Sequence, residues 1–128
     1  MLEEIRGVRQ DDSTQWRQWF QDDYFDLFVW SDATQQVSAF QLCYDRLHHE
    51  RVLEWRLDSG LRHRRIDDGE SRPGHKMAPV MTEGGRFAGS RIAREFDARA
   101  MRMPPALREF IRLKIVEAGA QLNSPRRR

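Results

Sequence analysis

The sequence predicts an α+β fold, an antiparallel β meander of four to six strands followed by two C-terminal helices packed on the sheet. Three observations predict it. Residues 24–66 hold four strand-like runs, at 24–30, 37–44, 51–57 and 61–66, separated by short polar breaks. Apolar residues recur at helical spacing from Ile92 onward. Finally, the 128 residues carry seven Phe, four Trp and two Tyr among 33% charged residues, enough for one domain with an aromatic core. The domain is expected over residues 1–122, with residues 123–128 a disordered basic tail.

Before the meander, residues 5–9 form a weak candidate for an edge strand, and Asp11-Asp12-Ser13-Thr14 breaks the chain. Trp16, Trp19 and Phe20 fit one face of a short helix or a strand that turns at Asp22-Asp23, and the strand is preferred. These aromatics read as core ahead of a base-stacking platform. The run at 24–30 is apolar on both faces, with Tyr24, Phe28 and Trp30 alternating with Phe25, Leu27 and Val29, so cover is expected on both sides. Its one polar member, Asp26, is expected at an exposed point of a twisted strand or bonded to a neighbouring arginine.

The run at 37–44 has its bulky face at Phe40, Leu42 and Tyr44 and pairs with the first run through a loop at 31–36. The third sets Leu53, Trp55 and Leu57 against Val52, Glu54 and Arg56. The fourth is polar and reads as an edge strand whose positive charge discourages further pairing. At Asp58-Ser59-Gly60 a three-residue turn with Gly60 left-handed is preferred to a two-residue loop. That choice sets Leu57 opposite Leu61, Trp55 opposite His63, Glu54 opposite Arg64 and Val52 opposite Ile66.

A polar loop at 67–76 follows, then a short candidate strand at 77–81 limited by Pro79, and a turn at 82–85. Ser90 is the expected N-cap of the first helix, whose buried side is Ile92, Phe96 and Ala100 and which must end at Met103-Pro104-Pro105. Pro105 suits the first turn of the second helix, with an apolar stripe at Leu107, Phe110, Ile111, Ile115 and Ala118.

Composition narrows the function. Cys43 is the single cysteine, which excludes an intrachain disulfide and a cysteine-based zinc site. The N-terminal residues lack the pattern of a signal peptide, and no run nears the roughly 20 apolar residues of a membrane span, so a cytoplasmic protein without membrane partners is expected. Net charge is +2, but residues 1–45 hold three basic against nine acidic residues, whereas residues 86–128 hold eleven basic against four acidic. That asymmetry can steer partners or hold the two ends of the chain together.

Candidate chemistry concentrates between Trp55 and Lys76. Gly69 to Lys76 resembles a phosphate loop only superficially, because His75 intrudes before the lysine, Met77 stands where Ser or Thr would bind magnesium, and no helix begins there. His63, Asp67, Asp68, Glu70 and His75 are a ligand-rich group whose spacing matches no metal motif, and Asp68-Gly69 reads as a turn. No metal or cofactor is therefore expected. His48-His49 reads as a solvated connection. No nucleophile triad and no assured acid/base pair is recognisable, which disfavours an enzyme. The expected ligand surface comprises Trp55, Arg56, Arg62, His63, Arg64, Asp68, Arg72, His75 and Lys76, where guanidinium groups would clamp a phosphate or carboxylate beside the Trp55 ring.

Three segments carry a family resemblance: Trp19-Phe20 to Trp30, then Phe40-Gln41-Leu42-Cys43-Tyr44-Asp45, then Asp67-Asp68-Gly69-Glu70 with Arg72-Pro73-Gly74. Over roughly the central half of the chain they resemble a family of short uncharacterised bacterial proteins. The resemblance implies a free-standing bacterial protein and transfers no functional residues. The leading expectation is a non-enzymatic binding or interaction module for a protein or an anionic small ligand. The alternatives are nucleic-acid binding through the basic C-terminal half, including Arg91, Arg94, Arg99 and Arg102, and a small metal-dependent or ligand-processing enzyme.

Overall fold

The computed structural model describes residues 1–10, 14–45, 50–65 and 87–122. Six strands, β1 (Glu3–Glu4), β2 (Trp16–Gln21), β3 (Asp26–Ser31), β4 (Val37–Tyr44), β5 (Arg51–Arg56) and β6 (Gly60–Arg65), form one antiparallel sheet in sequence order. Helices α1 (Gly89–Arg99) and α2 (Pro105–Leu122) follow and pack against it, so the α+β meander is present with its two C-terminal helices.

Side-chain alternation divides the sheet into two unlike faces. On one face stand Phe20, Leu27, Val29, Phe40, Leu42, Tyr44, Leu53 and Trp55, all buried. The helices cover this face, with Ile92, Phe96, Ile111, Ile115 and Ala118 buried in the same cluster. Phe25 meets Phe96 edge-on, and Trp55 meets Phe110 in the same way. The opposite face carries Trp19, Phe28 and Trp30, half-buried, with no described helix packed on it. The cover expected on both sides of the third strand is thus provided by the helices on one side only. On the other side the aromatics pack on one another, Trp19 stacked on Phe28 at 5.6 Å.

Several expectations need correction. The edge strand is Glu3–Glu4, paired with Phe20 and Gln21, and residues 5–9 do not form one. Past β1 the edge of β2 is closed by a side chain instead. The Gln10 amide donates to the Arg17 carbonyl at 2.9 Å and accepts from the Arg17 N–H at 2.8 Å, copying a strand partner. Tyr24 and Phe25 precede β3 and belong to a turn built on Asp22, whose Oδ1 accepts from both of their amides. Ser90 lies inside the first turn of α1, after an Ala88 N-cap that makes no side-chain bond.

The β5–β6 register also differs, by two residues. Arg56 stands opposite Gly60, Trp55 opposite Leu61, Glu54 opposite Arg62 and Leu53 opposite His63. The turn closes one residue pair earlier than expected, with the Ser59 N–H donating to the Arg56 carbonyl and Gly60 at φ +85°. Leu57 falls within this turn, its N–H bonded to Ser38 of β4. A shift of two preserves the face of every residue, and the Glu54–Arg64 pair expected across the hairpin is made diagonally, at 3.1 Å.

The acidic N-terminal and basic C-terminal parts meet in ion pairs. Arg99 reaches Asp22 and Asp23 at 3.1 and 2.9 Å, Arg102 reaches Glu3, and Arg91 reaches Asp45 at 3.5 Å. Asp22 is the hub, with its side chain only 4% exposed. Burial pushes its carboxyl up, but the Phe25 and Tyr24 amides, Arg99 and the terminal ammonium outweigh that and hold it below the usual aspartate value.

Candidate functional site

The structure separates the residues expected to form one ligand surface. Trp55 and His63 project from the helix-covered face, whereas Arg56, Arg62 and Arg64 project from the other. Along a strand, residues separated by an odd number of positions project from opposite sides of the sheet. Asp68, Arg72, His75 and Lys76 lie outside the described residues, as do Asp67, Glu70 and His48-His49. Among the described residues, no group of three His, Cys, Asp or Glu side chains is placed to hold a metal ion.

His63 is packed into the core edge. Its ring lies parallel to Tyr44 and edge-on to Phe87, at centroid distances of 6.0 and 5.0 Å, and its Nε2 makes a short hydrogen bond with the Tyr44 hydroxyl. Burial pushes the Tyr44 hydroxyl well above the ordinary tyrosine value, so it stays protonated beside the His63 ring. Arg64 turns to the buried Glu54 carboxylate, and Arg56 lies 3.8 Å from Glu54 and 3.6 Å from Asp58. Arg62 is exposed on the edge strand. Asp26 accepts from the Trp19 indole and the Gln21 amide, both at 2.9 Å.

A concavity forms elsewhere, where one end of the sheet meets the start of α2. Its volume is about 1030 Å3. Trp16 and Gln18 of β2, the β3–β4 turn from Asp32 to Gln36, and Trp55 with Leu57 supply the sheet side, while Leu107, Phe110 and Lys114 supply the helix side. Local sequence dictates this placement. Pro105 starts α2 just beyond Pro104, so Leu107, Phe110 and Lys114 recur at three- and four-residue spacing on the side turned to the sheet. Asp32 tightens the facing turn by accepting from Thr34 and Gln36, while Gln35 takes a left-handed conformation at φ 71°.

No family model matches the chain, and no curated protein or solved structure is similar to it. The site is therefore argued from its geometry.

Two large apolar side chains at the cleft are left in water: Trp16 is 56% exposed and Leu57 60%. Deeper in, the Lys114 ammonium lies 5.0 Å from the centroid of Trp55 and 5.6 Å from that of Phe110, within cation–π range of both. It also pairs with Glu117 at 3.2 Å, and the lysine side chain is 23% exposed. The arrangement offers an apolar rim and one cation above a base closed by Trp55 and Phe110, a combination suited to binding. Sequence reasoning identified Trp55 but missed Trp16, Leu57, Phe110 and Lys114 as site residues. The available signal was Phe110 and Lys114 at i, i+4, with Pro105 fixing where their helix begins.

Proposed function

We propose that the protein is a non-enzymatic binding module and that its ligand seat is the cleft between the sheet and the first half of α2. One observation carries this reading: Trp16 and Leu57, both more than half exposed, border a single concavity of about 1030 Å3. Exposed aromatic and aliphatic side chains around a concave site mark ligand or partner contact, and small-molecule sites occupy roughly 300–1000 Å3. The polar groups of the cleft lining are amides, the Ser31 hydroxyl, one lysine and an aspartate engaged in its own turn, an inventory that supports binding.

The test uses the neutral fluorophore N-phenyl-1-naphthylamine. Saturable binding at one site is expected, with Trp16→Ser and Leu57→Ser each weakening it at least threefold while leaving the circular dichroism spectrum unchanged. Absence of saturable binding, or indifference to both substitutions, would overturn the reading.

Nucleic-acid binding is favoured by a different observation. Trp19, Phe28 and Trp30 form an aromatic row on the sheet face away from the helices, and Arg56, Arg62 and Arg64 project from that same face. The C-terminal arginines lend it less support, since Arg91, Arg99 and Arg102 are engaged with Asp45, Asp22, Asp23 and Glu3. Retention on heparin that falls steeply with salt would favour this reading, and salt-independent or absent retention would remove it.

A further inference from the structure

We infer that the cleft selects a planar aromatic anion, its ring held against Trp16 and Leu57 at the cleft rim and its carboxylate or sulfonate on Lys114 Nζ. This rests on the cleft being the ligand seat. The shape argument comes from the rings. Trp55 closes the base of the cleft, 8% exposed, with Phe40 stacked on it at 6.3 Å, Phe110 edge-on at 5.2 Å and the Lys114 ammonium over its ring, so the ring open to an occupant is Trp16, 56% exposed. A flat occupant can stack on that ring in the offset arrangement aromatic pairs favour. Trp16 and Leu57 then lose part of their contact with water.

The charge argument comes from Lys114. Its ammonium is held near two ring faces in the cleft and is 23% exposed, while its protein counter-charge, Glu117, is 43% exposed one helical turn away. An exposed pair at that spacing is weak and screened by salt. An ammonium has three donors, so a ligand anion can bind without displacing Glu117. The opposing charge on the lining is Asp32 in the β3–β4 turn, and it is spent locally: one of its oxygens accepts from the Thr34 N–H, the Thr34 hydroxyl and the Gln36 N–H. Those bonds hold its carboxyl below the usual aspartate value, with the Thr34 hydroxyl the largest cause. The lining's anion is thus engaged by its own turn while its cation holds only an exposed, screened counter-charge, and the difference favours an anionic guest.

Two probes of similar aromatic area separate the inference from the reading beneath it. 1-Anilinonaphthalene-8-sulfonate carries the anion, and N-phenyl-1-naphthylamine is its neutral counterpart. The sulfonate is expected to bind at one site about tenfold more tightly, and Lys114→Met to abolish that advantage while changing the neutral probe's affinity less than twofold. Lys114→Arg should retain most of the advantage, which controls for a folding defect in the methionine variant. Equal affinity for the two probes, or an equal loss of both in Lys114→Met, overturns the anion selectivity and leaves the cleft as a ligand seat. Failure of both probes, with no effect of Trp16→Ser, overturns both.

Discussion

Replacing Asp22 by Asn tests whether the ion pairs between the chain's two ends hold the fold together. Asn retains a carbonyl oxygen in place of Oδ1, which accepts from the Tyr24 and Phe25 amides at 2.8 and 2.9 Å, so the turn before β3 should survive. What is lost is the charge facing Arg99 at 3.1 Å and the Met1 ammonium at 3.3 Å. A hydrogen bond to a charged group is worth about 1.5–3 kcal/mol, and Arg99 is partly exposed and keeps Glu95 and Asp23, so the loss at neutral pH should be about 1–2 kcal/mol. The pH dependence provides the sharper test. The folded carboxyl titrates below the unfolded value of about 3.9, so its contribution is full above that value and disappears as pH falls through the lower folded one. Urea unfolding followed by tryptophan fluorescence at pH 7, 5 and 3.5, and below that while both proteins remain folded, should show the gap between wild type and Asp22→Asn closing at the acid end. A gap that stays constant down to pH 2.5, or one below about 0.3 kcal/mol at pH 7, would refute the reasoning.

Other substitutions probe the helix layer and the sheet edge. A Cβ at Gly89 would lie 2.7 Å from the Gly119 Cα, whereas one at Gly119 would lie 3.2 Å from the Gly89 Cα. Gly89→Ala should therefore cost about 1–3 kcal/mol in urea unfolding by forcing α1 and α2 apart, while Gly119→Ala, offset by about 1 kcal/mol of helix propensity, should be near neutral. Equal losses at the two positions would contradict the close crossing. Tyr44→Phe should cost about 1–2 kcal/mol by removing the buried hydrogen bond to His63 Nε2, and a Tyr44–His63 double-mutant cycle should return a coupling of at least about 0.5 kcal/mol. Additive losses in that cycle would argue that the pair is a contact without energetic weight.

The strands were legible because alternation is a local signal. Phe40, Leu42 and Tyr44, or Leu53 and Trp55, announce their shared face without reference to anything distant, and each is buried. Helix ends were legible in part: Pro105 marks the start of α2, but Ala88 caps α1 without the side-chain oxygen that would have distinguished it from Ser90. The β5–β6 register was missed because pairing Leu57 with Leu61 looked favourable locally. The folded sheet instead pairs the larger Trp55 with Leu61 and leaves Leu57 in the turn, bonded to β4. Leu2 and Phe87 were missed as core residues because neither belongs to a periodic run. Leu2 is held by its amide's bond to the Arg99 carbonyl, and Phe87 by Tyr44 and His63.

Why the arginine edge drew attention before the cleft has a physical explanation in parity. Clustering in sequence makes Trp55, Arg56, Arg62, His63 and Arg64 look like neighbours, yet in strands an odd offset reverses the face, so the aromatic and imidazole groups go under the helices while these arginines go to the opposite side. A ligand touching both Trp55 and Arg62 would have to wrap the sheet's edge. The cleft obeys the opposite rule: Trp16, Gln36, Trp55 and Lys114 are remote in sequence and meet only because four elements end at one corner of the fold. Its specificity must then depend on how α2 is held against the sheet. Besides Trp55, that helix is attached through the buried Ile111 and Ile115, each next to a cleft residue, and through Ala118 and the Gly89–Gly119 crossing farther toward its C-terminal end. A substitution such as Gly89→Ala, which touches no cleft residue, should accordingly weaken binding of the anionic probe while changing the number of sites not at all.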